Sequence, residues 1–286
     1  MPEIIYLNGK IVSAAEAVIS INDRGFLFGD SVYEVIRSYS GRLWALERHL
    51  RRLERSLAAI EITSVDIAQV GRAIEECCRA SAFPNALVYL QITRGAAPRA
   101  HVYPADLQPT ILITVRDIRP IVQRVSPDGV AALTAPDLRW RRCDIKSTNL
   151  LPNVLAQTRA RAHGADEAIL IDADGCITEA SSNSVFWVEQ RRLFTTPAGP
   201  EILPSITRDF IVEIARDEAI PLLVERVPLD RFRKASEVLL VGTTHEVCPV
   251  ISLDGQPVGD GKAGPLSRRL QAAFRARVEA GDDEPR

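Results

Sequence analysis

Arg141-Arg142-Cys143-Asp144-Ile145-Lys146-Ser147 runs straight into an apolar, helix-like segment that begins near Asn149, and the lysine within it is a rarity. Only four of the 35 lysines and arginines in this 286-residue chain are lysines. Lys10, Lys234 and Lys262 sit in polar, turn-like stretches: Asn8-Gly9-Lys10, Arg233-Lys234-Ala235 and Gly261-Lys262-Ala263. A chain that uses arginine for ordinary surface charge keeps a lysine beside an apolar helix for a different reason. An amine can lose its proton and attack a carbonyl, which a permanently charged guanidinium cannot do. Lys146 is read as a nucleophile, against the plain alternative of a solvated surface lysine.

Outward from Lys146 the chain alternates between hairpins and amphipathic helices. A helix is predicted from about Asn149 to His163, with Pro152 tolerated in its first turn and Gly164 ending it. Ala168–Asp172 and Cys176–Thr178 form a hairpin around Asp174-Gly175. Val185–Val188, Leu222–Val227, Val238–Val241 and Val247–Ile251 read as strands, and helices are expected from about Thr207 to Ala219 and around Leu266, Leu270 and Phe274. The tail Gly281–Arg286 is expected to be disordered.

Before Lys146, the composition breaks between Arg119-Pro120 and Pro127-Asp128-Gly129, which puts a domain boundary near residue 120. In the first part, Ile4–Leu7 and Ile11-Val12 flank Asn8-Gly9, a hairpin signal. Val32–Tyr39 is a strand that turns at Ser40-Gly41. Leu46, Leu50, Leu53, Leu57 and Ile60 make the stripe of an amphipathic helix. A second helix, capped by Ser64, is expected to bury Ile67, Val70 and Ile74. Leu87–Thr93 and Thr110–Val115 are further strands. The pattern is α+β, a small N-terminal domain over 1–120 and a larger, β-rich C-terminal domain over 121–286. Regular β-α-β alternation and a glycine-rich dinucleotide fingerprint are both missing from the sequence.

Composition narrows the partners. Hydrophobic residues at 46%, charged ones at 25% and a net charge of −2 describe a globular protein with no electrostatic case for nucleic acid or an anionic membrane. Five irregularly spaced cysteines without a CxxC pair indicate neither a disulfide framework nor a zinc site, so no metal is expected. No apolar run approaches a membrane span, and residues 1–20 lack a secretory pattern, so the expectation is a cytoplasmic protein.

If Lys146 is an amine nucleophile, its most demanding use is a Schiff base with pyridoxal phosphate. That use requires an acid for the pyridine nitrogen, a cradle for the phosphate and an anchor for the substrate carboxylate. Glu179, entering the small, hydroxyl-rich stretch Ala180-Ser181-Ser182-Asn183, is a candidate for the first, because an opposite charge keeps a ring nitrogen protonated. Leu203-Pro204-Ser205-Ile206-Thr207-Arg208 opens a helix and offers amides; Gly242-Thr243-Thr244 offers hydroxyls; Arg52 lies on the helix Leu46–Ile60. Simple helix capping explains Ser205 and Thr207 equally well at this point. Arg99 and His101 alternate in a turn-rich loop and point the same way if it is extended, which suits a carboxylate.

Together these segments resemble the class IV (fold type IV) pyridoxal-phosphate aminotransferases, most closely their D-amino-acid branch. The resemblance rests on Asp23-Arg24-Gly25-Phe26-Leu27-Phe28-Gly29-Asp30-Ser31-Val32-Tyr33-Glu34, Arg99-Ala100-His101 and Arg142–Ser147, and continues through Thr178–Asn183, Ile206-Thr207-Arg208 and Thr243–Val250. It implies that Lys146 is the Schiff-base lysine and Glu179 the partner of the pyridine nitrogen. It also implies cofactor contacts from Arg52, Ser182, Ile206, Thr207, Thr243 and Thr244, with Ile206 and Thr207 acting through backbone amides. Tyr33, Arg99 and His101 resemble that family's trap for the substrate α-carboxylate, with Ser181 beside the substrate, and the trap is shared across a homodimer. Ser31 stands where the family commonly has glycine, and Thr148 where it commonly has leucine, which leaves side-chain preference open. The expected reaction is a ping-pong transfer of an amino group from a D-amino acid to a 2-oxo acid. Branched-chain L-amino-acid transaminases, (R)-amine transaminases and aminodeoxychorismate lyases use the same scaffold and are the alternatives.

Overall fold

The computed structural model describes residues 3–284 except Arg124 and Pro127. Two compact units result: Met1–Pro120 together with Ile145–Asn149, and Ile121–Asp144 together with Leu150–Arg286. The lysine-bearing segment is thus a short return into the first unit.

The first unit contains β1 (Ile4–Leu7), β2 (Lys10–Val12), α1 (Arg24–Phe28), β3 (Ser31–Tyr39), β4 (Arg42–Leu43), α2 (Leu46–Ala59), α3 (Ile67–Ser81), β5 (Ala86–Thr93) and β6 (Thr110–Asp117). A single turn, α4 (Arg119–Val122), follows. The six strands form an antiparallel sheet in the order β2-β1-β6-β5-β3-β4. Asn8 and Gly9 both have positive φ, 47° and 96°, which gives the two-residue β1–β2 turn the twist that a hairpin needs. The predicted stripe of α2 lies inward through Leu50, Leu53 and Leu57, against Ile36 and Val32 of β3. Each such side chain contributes roughly 1.5–3 kcal/mol by leaving water. α3 starts two residues later than the sequence suggested: Asp66, not Ser64, is the cap and accepts from Gln69 N. Val70 and Ile74 are buried, and Ile67 is half-buried at the first turn.

The second unit contains β7 (Val130–Pro136), α5 (Leu151–Ala162), β8 (Glu167–Ile171), β9 (Ile177–Ala180), β10 (Ser184–Glu189), β11 (Arg192–Thr195), α6 (Ile206–Asp217) and β12 (Leu222–Val224). It continues with α7 (Leu229–Phe232), β13 (Glu237–Gly242), β14 (Glu246–Leu253), β15 (Gln256–Pro257) and α8 (Pro265–Ala280). Eight strands run in the order β12-β11-β10-β13-β14-β7-β8-β9, with β15 paired to β14. β7 runs parallel to both its neighbours, and β11 parallel to β12; the other pairs are antiparallel. Trp187, Val185, Leu240 and Phe232 centre its core. The expected disorder of the tail is not found at its start. Gly281, in the left-handed region, ends α8, and Asp282 N donates to Arg277 O at 3.0 Å. Residues 285 and 286 lie outside the described residues. Among the described residues, no helix is long and apolar enough to cross a membrane.

Candidate active site

In the first unit, Ile145–Asn149 is stitched to the start of β3. Tyr33 N donates to Lys146 O at 2.9 Å, Ser147 bridges Val32, and Thr148 N donates to Ser31 O at 3.2 Å. Lys146 N donates to Ser56 Oγ of α2 at 3.3 Å. The backbone around the lysine is therefore fixed, and Ile145 is buried in the core as a peg. The side chain is half-buried, with Nζ 4.2 Å from the centre of the Tyr33 ring. The two residues that depart from the family pattern meet here, since the hydroxyls of Ser31 and Thr148 are hydrogen-bonded to each other. Gln91 Nε2 donates to Ser31 Oγ at 3.4 Å, and Tyr89 Oη donates to Gln91 Oε1 at 2.8 Å.

Arg52 is not the solvated helix arginine its neighbours suggest. It is 4% exposed, and its Nε and Nη2 each donate to Glu34 at 2.7 Å. His49 Nδ1 lies 2.7 Å from the same carboxylate. Burial alone would raise Glu34, but Arg52 and His49 overcome it and hold the carboxyl far below its ordinary range. Burial pushes His49 down, with Glu34 opposing, so at neutral pH the buried pair is Glu34⁻–Arg52⁺ beside a neutral imidazole. Arg99 and His101 are exposed, in the loop that joins β5 to β6. Both rest on Phe28: the Arg99 guanidinium is 5.3 Å from the ring centre and the His101 ring 5.7 Å.

The second unit holds the remaining candidates. Glu179, 6% exposed at the end of β9, accepts from Arg139 Nη1 and, at 3.3 Å, from Leu203 N. Arg139 is held in turn by Asp137, through Nε at 2.9 Å and Nη2 at 2.7 Å, and Thr178 Oγ1 donates to Asp137 at 2.8 Å. Burial raises Glu179 above the usual carboxylate range even though Arg139 and the Leu203 amide pull it back. Burial opposes the charge on Arg139, but Asp137 and Glu179 more than offset this and raise it. A buried carboxylate of this kind gains from a further cationic N–H donor.

Three residues after Leu203, α6 begins. Ser205 caps it by accepting from Arg208 N at 3.2 Å, so the Ile206 and Thr207 amides have no acceptor within the helix. The Thr207 and Thr243 hydroxyls have no hydrogen-bond partner among the described residues. Burial lowers Arg208 from the ordinary arginine value, with Asp209 and Glu179 offsetting only part, and its buried Nε has no partner. Free amides at a helix start, free hydroxyls and an under-compensated arginine are donors suited to a phosphate. The residues fit a phosphorylated pyridine cofactor.

Ser181 and Ser182 behave differently. Both hydroxyls donate to buried Glu167, Ser182 at 2.6 Å, and Asn183 Nδ2 adds a third bond at 2.6 Å. Ser182 can offer a ligand its backbone or a shared lone pair, whereas the Ser181 backbone is already engaged, its N donating to Ala168 O and its O accepting from Asn153 Nδ2, each at 2.8 Å. A Cβ on Gly242 would come within 2.4 Å of Asn183 Oδ1, so a side chain there would have to push Asn183 off its bonds to Glu167 and Ser182. Thr244 Oγ1 lies 3.2 Å from His245 Nδ1. Sequence reasoning did not single out Glu34, Asp137, Arg139 or Glu167. The Asp137-x-Arg139 alternation was the one available signal, since extended spacing puts both side chains on one face.

The amino-transferase class IV family model matches residues 31–253. The chain belongs to the class IV aminotransferases. It is 40% identical over 271 residues to a D-alanine aminotransferase of Bacillus licheniformis, covering 94% of this chain and 95% of that one. With a D-alanine aminotransferase of Staphylococcus aureus (strain MSSA476) it shares 39% identity over 280 residues, 97% of this chain and 99% of the relative. Among solved structures, the branched-chain amino acid aminotransferase of Escherichia coli superposes with a TM-score of 0.88 at 27% identity, over 96% of this chain and 93% of that one. The branched-chain aminotransferase of Thermoproteus uzoniensis gives 0.87 at 27% identity, over 98% and 96%. The class IV aminotransferase therefore has the fold type IV architecture, α+β, as expected.

Proposed function

We propose that this class IV aminotransferase uses pyridoxal 5′-phosphate to move the amino group of a D-amino acid, such as D-alanine, to a 2-oxo acid by a ping-pong mechanism. The observation that carries the substrate side is the β5–β6 loop, where Arg99 and His101 present two donors over one ring, Phe28. Two cationic or donor groups on one side bind an α-carboxylate and fix the orientation of the carbon bearing the amine.

Pyridoxal phosphate, when bound, supplies the covalent link to the amine and the electron-withdrawing ring that makes the neighbouring proton acidic. The protein's residues do the rest. Lys146 Nζ would hold the cofactor and, as a free amine, would take the proton from the substrate's Cα. The Tyr33 ring beneath it and the fixed 145–149 backbone aim that nitrogen at one face, which sets stereochemistry. Glu179, paired with Arg139, would accept from the pyridine nitrogen and keep its proton in place. The Ile206 and Thr207 amides and the Thr207 and Thr243 hydroxyls hold the phosphate, with Arg52, Ser182 and Thr244 as further cofactor contacts and Ser181 beside the substrate. Glu34 keeps Arg52 aligned.

A homodimer that shares the carboxylate trap fits the same reading, supported by Leu151, Val154 and Leu155, which lie exposed at helical spacing on α5. A cytosolic setting fits the absence of a membrane-length helix among the described residues. A second reading, a branched-chain L-amino-acid transaminase, draws on the solved structures of that name with similar folds. The deciding experiment is the visible spectrum of the purified protein before and after D-alanine and, separately, L-leucine. Loss of the bound-cofactor band with D-alanine alone is expected. Loss with L-leucine alone selects the second reading. Substantial turnover by Lys146→Ala without added amine overturns the assignment of the lysine.

A further inference from the structure

The loop that joins β5 to β6 is long, yet its course is built with care at one end. At its neck, Gly95 (φ 102°) lies against Gln108, where a Cβ would meet the Gln108 carbonyl oxygen at 2.0 Å. Only glycine permits that approach. Arg24 N donates to Gly95 O at 2.9 Å, and Ala97 N to Asn22 O at 3.1 Å. Beyond Ala97 the backbone loses such support. Among the described residues, both hydrogen bonds that tie residues 98–102 to the rest of the unit come from one side chain: Arg24 Nη1 donates to Ala100 O at 2.7 Å and Nη2 to His101 O at 3.1 Å.

Arg24 is itself immobilised. It is 4% exposed, its Nε donates to Asp30 Oδ2 at 2.8 Å, and its guanidinium lies 4.8 Å from the centre of the Phe28 ring. Asp30 is shared with Arg94, whose Nε and Nη2 donate to it at 2.8 Å and 3.0 Å. Burial raises Asp30, but the two arginines overcome it and keep the carboxyl below its usual range, so the clamp is charged across the neutral region. Phe28 therefore carries three groups: Arg24, Arg99 and His101.

We propose that Arg24 is the positioning residue of the substrate-carboxylate trap, and so a determinant of selectivity for amino acids over amines that lack a carboxylate. The inference rests on the reading of Arg99 and His101 as that trap. By bonding the carbonyls of the two consecutive peptides that flank His101, Arg24 sets the plane from which Arg99 and His101 project. A lysine cannot do the same, because an ammonium is a point donor without the planar fork that reaches Asp30 and two carbonyls at once.

The test uses the holoenzyme and its Arg24→Lys variant. D-alanine is compared with D-alaninol, which replaces the carboxylate by a hydroxymethyl group. The expected result is a rise of about tenfold to a hundredfold in KM for D-alanine, the loss of one or two charged hydrogen bonds. The preference for D-alanine over D-alaninol in kcat/KM falls by the same factor, with the cofactor band unchanged. Faster amide exchange confined to residues 98–102 is expected alongside. Equal losses for both substrates mean a merely structural role and overturn the proposal, as does an unchanged KM. The exchange measurement needs no substrate, so unaltered protection of residues 98–102 overturns the proposal even if the enzyme's substrate is not a D-amino acid. If Arg24→Lys does not fold, Phe28→Leu keeps the guanidinium and removes its platform. A smaller shift in the same two readouts is then expected, and none overturns the proposal.

Discussion

Glu179 is useful only if it is charged while buried, and the side chains around it show how that is arranged. Burial favours the neutral acid; Arg139, locked by Asp137 and Thr178, opposes it. The folded value of Glu179 stays above its unfolded value near 4.5, so the folded chain binds more protons than the unfolded one in the window above 4.5. Stability therefore falls as pH rises through that window. Replacing Arg139 by methionine extends the window upward and leaves Asp137 unpaired as well. The expected cost is about 3–5 kcal/mol at neutral pH, as for any buried pair that loses one partner. It is smaller at pH 5 than at pH 8, because the acids can then take up protons. Thermal melts of the cofactor-free protein at the two values check this, and an equal loss at both would mean that Arg139 acts through packing alone. Little of this was legible in the sequence. Lys146 stood out by its rarity and Glu179 by its setting, but the pairing of Ser31 with Thr148 spans 117 residues and that of Arg139 with Glu179 spans 40. Such contacts are products of the sheet, and a single chain carries no local mark of them.

Elements with a strong period or a compact β-branched run, such as α2, β10 and β13, were read from the sequence, while β7 and α1, which have neither, were missed. The α2 stripe repeats at helical spacing and was found to within a residue or two; the β8–β9 hairpin announced itself through Asp174-Gly175. β7, Val-Ala-Ala-Leu-Thr-Ala-Pro, escaped because it is alanine-rich and flanked by parallel strands on both sides, so it has only two β-branched residues and no clear alternation. α1 is five residues long, too short for a period, although its Asp23 cap and left-handed Gly29 were visible. α6 was read as a helix with an ambiguous start, and the structure divides the two roles: Ser205 caps, leaving the next two amides free. Ser205→Ala should cost about 1 kcal/mol of stability, read from the urea midpoint. If those amides hold the phosphate, the same variant should weaken binding of pyridoxal phosphate roughly twofold to fivefold. Binding of dephosphorylated pyridoxal should not change. Equal weakening of both ligands would remove α6 from the phosphate site.

At the scale of the molecule, the unexplained quantity is apolar surface. Leu151, Val154 and Leu155 are 67%, 55% and 59% exposed on one helix whose opposite side is buried at Ala160. A second copy covering them would return roughly 1.5–3 kcal/mol per side chain, and stable dimers bury at least about 1,200 Å² in all. The exposed Arg99–Tyr103 loop is the other half of the argument, because a trap shared between protomers must stand at the surface of each. Val154→Asp places a charge in the centre of the α5 face, where it is harmless in a monomer and costly in a dry interface. Sedimentation should show a dimer for the wild type and a monomer for the variant. The bound-cofactor band should survive in the variant, while turnover of D-alanine falls, because the dimer supplies the trap and not the lysine. A monomeric wild type with full activity would show that the trap is complete within one chain.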